Sequence, residues 1–261
     1  AAFAQTGGDV FPVLAQQSIR EMDRLHRTAE SVMVDSIFGL VEAGWDRGFG
    51  ADCDHIKSTE GIDRGLAAGF TMFTLDPGDY VQDVTAGATR AQADALPWDA
   101  LEDTLEATLA RYADTRLDVA GETIAPTEDE IITAAVKYAG AAAEAARLYR
   151  HLHENAQHPV ETEIAVDETA CQTSFFEHYY LATELKRLGL EWFSFAPPRY
   201  VDGFEKGLEF RGDVEELRHN LEVHHAIGEI FGGYKISLHS GSDKYSIYPP
   251  SPSRPPTDSS T

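Results

Sequence analysis

Cysteine is nearly absent. Cys53 and Cys171 are the only two in 261 residues, which excludes a disulfide framework as the source of stability. Cys53 falls in an apolar run and reads as a small buried group, so reducing, cytoplasmic conditions are the expectation. Basic residues are also scarce: 21 Lys and Arg stand against 44 Asp and Glu, a formal charge of −23. Such a surface repels nucleic-acid backbones and anionic membranes, so neither is an expected partner. No run has the length and apolarity of a membrane span. The opening AAFAQTGGDV lacks the basic and apolar segments of a secretory leader. It also lacks an initiator methionine, from which processing or a partial chain is expected. No Gly-x-Gly-x-x-Gly occurs, which argues against a dinucleotide-binding fold.

What is present alternates. Apolar strand-like runs cover residues 9–14, 49–56, 70–75, 163–166, 192–195 and 234–238, separated by helical periodicity over 28–43, 59–68, 175–188 and 214–231. Gly69 is a helix C-cap candidate. Thr127 and Glu130 make a capping box ahead of an alanine-rich helix running to about residue 152. This rhythm predicts a parallel α/β sheet, of the type found in a (β/α) barrel. Six strands are counted where a closed barrel needs eight. The expected organisation is a partial (β/α) barrel over residues 1–249, with a helical insertion at about 80–158. A disordered Pro/Ser-rich tail is expected over 250–261.

Histidine and carboxylate gather where these runs end, the face that carries the chemistry of such barrels. Residues 50–55 read Gly-Ala-Asp-Cys-Asp-His, residues 164–168 Ile-Ala-Val-Asp-Glu, and residues 236–240 Ile-Ser-Leu-His-Ser. Imidazole nitrogen and carboxylate oxygen suit a borderline divalent ion with an open position for substrate. His55, His239 and Glu168 are therefore the candidate ligands, for Zn, Mn, Ni, Co or Fe. Asp54 and Asp167, next to two of them, are candidates for the general acid or base. Adjacent side chains of a regular strand point to opposite faces, so both members of each pair reach one site only if the strand has ended there. Lys57, Lys244 and Arg199 are candidates for a substrate carboxylate or hydroxyl, and Gln17, Ser240 and Asp243 for further polar contacts. Lys206 is a weaker cationic candidate. His151, His153, His158, His178, His224 and His225 read as helix-surface or packing residues, and Asp76 as part of an Asp-Pro-Gly turn.

Five stretches carry a family resemblance: FPVLAQQSIREM, GFGADCDHIKSTEGIDRGLAAGFTMFTLDPGD, VDETACQT, FSFAPPRYVDGFEKG and GGYKISLHSGSDKYSIYP. In these the chain resembles the tagaturonate epimerase family from Phe11 to Pro249. The resemblance implies a metal-dependent barrel that interconverts the ketouronates tagaturonate and fructuronate in hexuronate breakdown. His55, Asp167, Glu168, His239, Asp243 and Lys244 are the positions it carries over. Family members are longer, with an earlier barrel strand and a further segment after Pro249.

The two ketouronates differ at a carbon beta to the ketone, which simple enolisation does not reach. Retro-aldol cleavage, rotation of the aldehyde and re-addition reaches it without a nicotinamide. The nearest alternative is a metal-dependent aldolase of the class II type. A different class is a catalytically inactive truncated barrel acting as a binding module.

Overall fold

The computed structural model describes residues 11–84, 86–166, 172–196, 201, 203, 207–239 and 244–247. β1 (Val13–Ser18) runs directly into α1 (Ile19–Arg24), because the Ser18 hydroxyl accepts from the Glu21 N–H and caps the new helix. α2 (Ala29–Ala43), capped by Thr28 and closed by Gly44 in the left-handed conformation, leads to β2 (Gly50–Ile56). α3 (Thr59–Ala68) ends at Gly69, φ 83°, and β3 (Met72–Leu75) follows. The chain then departs from the sheet. It forms α4 (Arg90–Asp94), α5 (Trp98–Leu101) and α6 (Leu105–Tyr112), the hairpin β4 (Leu117–Val119) and β5 (Glu122–Ile124), and the long α7 (Glu128–Asn155). It returns through β6 (Glu161–Ala165), α8 (Phe175–Arg187), β7 (Ser194–Ala196), α9 (Val214–Ile230) and the short β8 (Lys235–Ile236).

Six strands pair in the order β1-β2-β3-β6-β7-β8, every pair parallel, so the predicted parallel α/β sheet is present. Two details differ from the sequence reading. The first strand lies later than residues 9–14, and Gln16 to Ser18 belong to it. The antiparallel hairpin β4–β5 was not anticipated, because three-residue strands carry too little periodicity to read.

The two faces of the sheet are chemically distinct. Cys53 and Phe73 crowd Gly65 of α3, where an added Cβ would fall 2.8 Å from the Phe73 ring. These side chains therefore point toward the helices. Ile164 and Phe195 continue that row by register, and the Phe195 ring stacks on His178 of α8. Strand alternation turns Asp52, Asp54, Thr74, Glu163 and Ser194 to the other, inner face. α7 buries an alanine-rich side between α8 and the sheet, since small side chains let helix backbones approach closely. The buried ion pair Lys137–Glu177, 2.6 Å, ties α7 to α8. Around Glu184, Arg111, Arg187 and Tyr112 converge and fasten α6 to α8. No helix among the described residues is long and apolar enough to cross a membrane.

Candidate active site at the strand ends

The inner face carries a buried polar layer. Thr74 Oγ1 donates toward both oxygens of Asp52, at 3.1 and 3.2 Å. Ser194 donates to Glu163 Oε2 in a short contact. His239, just past β8, places Nε2 2.8 Å from the other Glu163 oxygen. Asp52, Thr74, Glu163 and Ser194 are all buried, so their charges are set by one another and not by water.

Burial pushes the Asp52 carboxyl up to about 8, and the charges of Asp54 and Glu163 push in the same direction against Thr74 and His239. Asp54 is also raised, first by burial, with His55 and His239 opposing. Glu163 behaves differently. Burial raises it, but hydrogen bonds from His239, Ser194 and Ser237 together hold it below the usual carboxylate range. Three close carboxyl groups make a site that a cation would relieve.

His55 meets this layer through a local irregularity. Its φ is 51°, the left-handed region that L-residues rarely adopt, and the β2–β3 register shifts between Cys53 and Ile56. The twist brings Asp54 and His55 to one cleft although they are sequence neighbours. His55 Nδ1 lies 2.8 Å from Asp76 Oδ2, whose other oxygen accepts from the Gly78 N–H at 2.9 Å. His55 Nε2 lies 3.9 Å from Asp54 Oδ1. The ring stands edge-on to His239, 5.0 Å between centroids. A cleft of about 570 Å³ opens at this point. Its lining includes Ser18, Arg20 and Arg24 from the end of β1 and from α1, and Asp54, His55, Lys57 and Asp76 from the ends of β2 and β3.

The structure thus brings His55, His239 and Asp54 together and places Lys57 in the same cleft, 2.6 Å from Asp79 and 3.7 Å from Asp76. It does not bring two other candidates to that place. Gln17 stands beside Cys53 on the helix-facing row, and its neighbour Gln16 hydrogen-bonds Asp54 instead. Lys244 is fully buried and donates to the Leu208 carbonyl at 2.8 Å. Asp167, Glu168, Arg199, Ser240 and Asp243, with Cys171 and Lys206, lie outside the described residues.

Two imidazoles with adjacent carboxylates are the donor types a borderline divalent ion takes. Among the described residues no three His, Cys, Asp or Glu are yet grouped to hold one. The donor chemistry fits; a third ligand from the described residues is not in place.

Sequence reasoning missed Asp52 and Glu163 and read Asp76 as a turn residue. Signals for the first two existed. Asp52 and Asp54 are two apart in a strand, hence on one face, and Glu163 interrupts an apolar run with a carboxylate. Nothing local announced that Asp76 would orient His55.

A family model described as tagaturonate epimerase matches residues 2–252. A tagaturonate/fructuronate epimerase of Thermotoga maritima is 35% identical over 240 residues, covering 92% of this chain and 49% of its own length. The native crystal structure of the fructuronate-tagaturonate epimerase UxaE of Cohnella laeviribosi superposes with a TM-score of 0.82 at 33% identity, over 91% of this chain and 48% of that one. A glycerol complex of the same Cohnella enzyme gives 0.77 at 33% identity, with the same coverage of both chains. The chain spans about half the length of the relatives it matches. Its six parallel strands with interspersed helices are the partial-barrel architecture of those structures.

Proposed function

The chain belongs to the tagaturonate epimerase family, and on that premise we propose that it carries the catalytic face of a metal-dependent epimerase. The reaction is interconversion of D-tagaturonate and D-fructuronate, in the cytoplasmic breakdown of hexuronates, with a small ketouronate as the partner. One observation carries the proposal: the match over residues 2–252 takes in the cleft that holds Asp54 and His55, together with His239, whose ring lies 5.0 Å from that of His55.

His55 and His239 would hold a divalent ion, Zn, Mn, Ni, Co or Fe, together with Glu168. When bound, the ion supplies Lewis-acid stabilisation of negative charge at the ketone end of the substrate. Asp76 and Glu163 fix the two rings through their other contacts, as carboxylates behind ligating histidines do. Asp54 lies in the cleft beside His55 and takes the proton from the hydroxyl on the beta carbon. As that proton leaves, the bond between the alpha and beta carbons breaks; its electron pair becomes the double bond between the alpha carbon and the ketone carbon, the carbonyl pair moves to the ketone oxygen, and an enediolate and an aldehyde result. The aldehyde turns over, the bond re-forms on its other face, and Asp54 returns the proton. Asp167 is the alternative for this role. Lys57 and Ser18 offer contacts to substrate hydroxyls.

The test is incubation of the metal-loaded chain with tagaturonate, with and without an aldehyde-trapping hydrazine. Fructuronate as product, together with a trapped three-carbon aldehyde acid, is the expected result. Net accumulation of two three-carbon fragments without fructuronate would make it an aldolase. Hydride transfer to a bound cofactor, with the carbon skeleton intact throughout, would reject the cleavage route.

A further inference from the structure

We infer that Arg20 and Arg24 form the subsite for the substrate's carboxylate and act as the pivot on which the cleaved aldehyde fragment turns. This inference rests on the proposed epimerisation and extends it to residues the sequence reading did not single out. The two arginines lie one turn apart on α1, directly after the C-terminal end of β1, so both project on one side of the helix. Both line the cleft that holds Asp54 and His55. In a protein of charge −23 most described arginines are drawn into ion pairs; among the described residues neither of these two is. The cleft's own carboxylates are largely committed. Asp23 pairs with Arg64 at 3.1 Å, and Asp76 is held by His55 and the Gly78 N–H. Glu21, beside the pair, and the base Asp54 remain as negative charges in the cleft. Lys57 is compensated by Asp79 and Asp76, and Lys244 is buried and donates to the Leu208 carbonyl. The cations open to an incoming acid group in this cleft are therefore the two guanidinium groups, whose planar forks match a carboxylate.

Substrate chemistry supplies the second half. In a six-carbon ketouronate the carboxylate lies two carbons beyond the carbon that inverts. Breaking the alpha–beta bond divides the molecule into a three-carbon enediolate and a three-carbon aldehyde that keeps the carboxylate. No atom or electron is gained or lost: the hydroxyl proton goes to the base and the bonding pair goes to the ketone end. For the aldehyde to return on its other face it must rotate without leaving. Anchoring its carboxylate leaves the bond between the aldehyde carbon and its neighbour free to rotate, and confines the fragment at high effective concentration.

The experiment compares the full chain with an Arg20→Gln/Arg24→Gln variant. Calorimetric titration with tagaturonate and with the matching neutral ketose is run alongside turnover in the presence of the hydrazine trap. Circular dichroism melting shows that the variant is folded, which its exposed positions favour. The expected result is at least a tenfold loss of tagaturonate affinity with unchanged affinity for the neutral ketose, and a several-fold rise in trapped aldehyde acid per epimerisation. Equal affinity of the unaltered chain for the two sugars, or unchanged affinity and trapping in the variant, would overturn the subsite. Continued conversion of tagaturonate to fructuronate by the unaltered chain in that case would leave the proposed function standing. Binding without turnover would show the reverse: the subsite intact and the epimerase reading at fault.

Discussion

Two pairs of histidines sit at almost the same spacing in opposite surroundings. His55 and His239 have ring centroids 5.0 Å apart at the strand ends, and His178 and His224 have theirs 4.9 Å apart in the core. Each ring of the first pair is bound to a carboxylate, Asp76 or Glu163, and remains partly exposed. The second pair is wholly buried. Its Nδ1 atoms face one another at 2.8 Å, and His178 Nε2 lies 2.6 Å from the Tyr234 hydroxyl. Burial lowers His224 to about 4. His178 is held well below its ordinary value, first by burial and then by His224. A shared residue type and spacing therefore give two different devices: carboxylates orient one pair at the strand ends, and burial keeps the other neutral and structural.

The sharpest way to break this comparison is at His55. His55→Gly removes the imidazole and relieves a left-handed backbone that costs a non-glycine residue about 1–2 kcal/mol. Turnover of tagaturonate should fall about 1,000-fold, while stability to urea stays level or rises by about 1 kcal/mol. A large loss of stability instead would make the strained residue structural. In the core pair the effects should exchange places. His178→Ala should cost about 2–4 kcal/mol by urea unfolding, through a cavity and two stranded polar partners, with activity per folded molecule unchanged. Loss of activity without loss of stability would unite the pairs.

Acid provides a finer probe. The buried His224 imidazole binds protons less readily folded than unfolded, so its contribution is complete above pH 6.5 and is lost as pH falls through about 4. The part due to His224 is of the order of 3 kcal/mol. His224→Gln should flatten stability between pH 6.5 and 4, and an unaltered slope would contradict the account. The smallest effect belongs to the exposed neighbour: His225→Ala should change stability by less than about 0.5 kcal/mol in urea unfolding.

The sequence exposed the parallel rhythm because its strands and helices are long enough for periodicity to show, and because caps at Thr127 and Gly69 punctuate them. It exposed His55, Asp54 and His239 because they stand at strand ends. It did not expose how neighbours Asp54 and His55 share a cleft, since that depends on a left-handed residue and a register shift set by β3. Glu163 and Asp52 escaped because each sits within a strand, where carboxylates are rare and only tertiary partners such as Ser194 and Thr74 make them tolerable. The arginine pair escaped because helix-surface arginines are ordinary in sequence and acquire meaning only from the cleft beside them.

The proposed chemistry needs one cation held between His55 and His239. Equilibrium dialysis against Mn or Zn, for the chain and for a His55→Gly/His239→Ala variant, measures this directly. About one ion per chain, lost in the variant, is the predicted result; no uptake by the unaltered chain, or equal uptake by both, would contradict it.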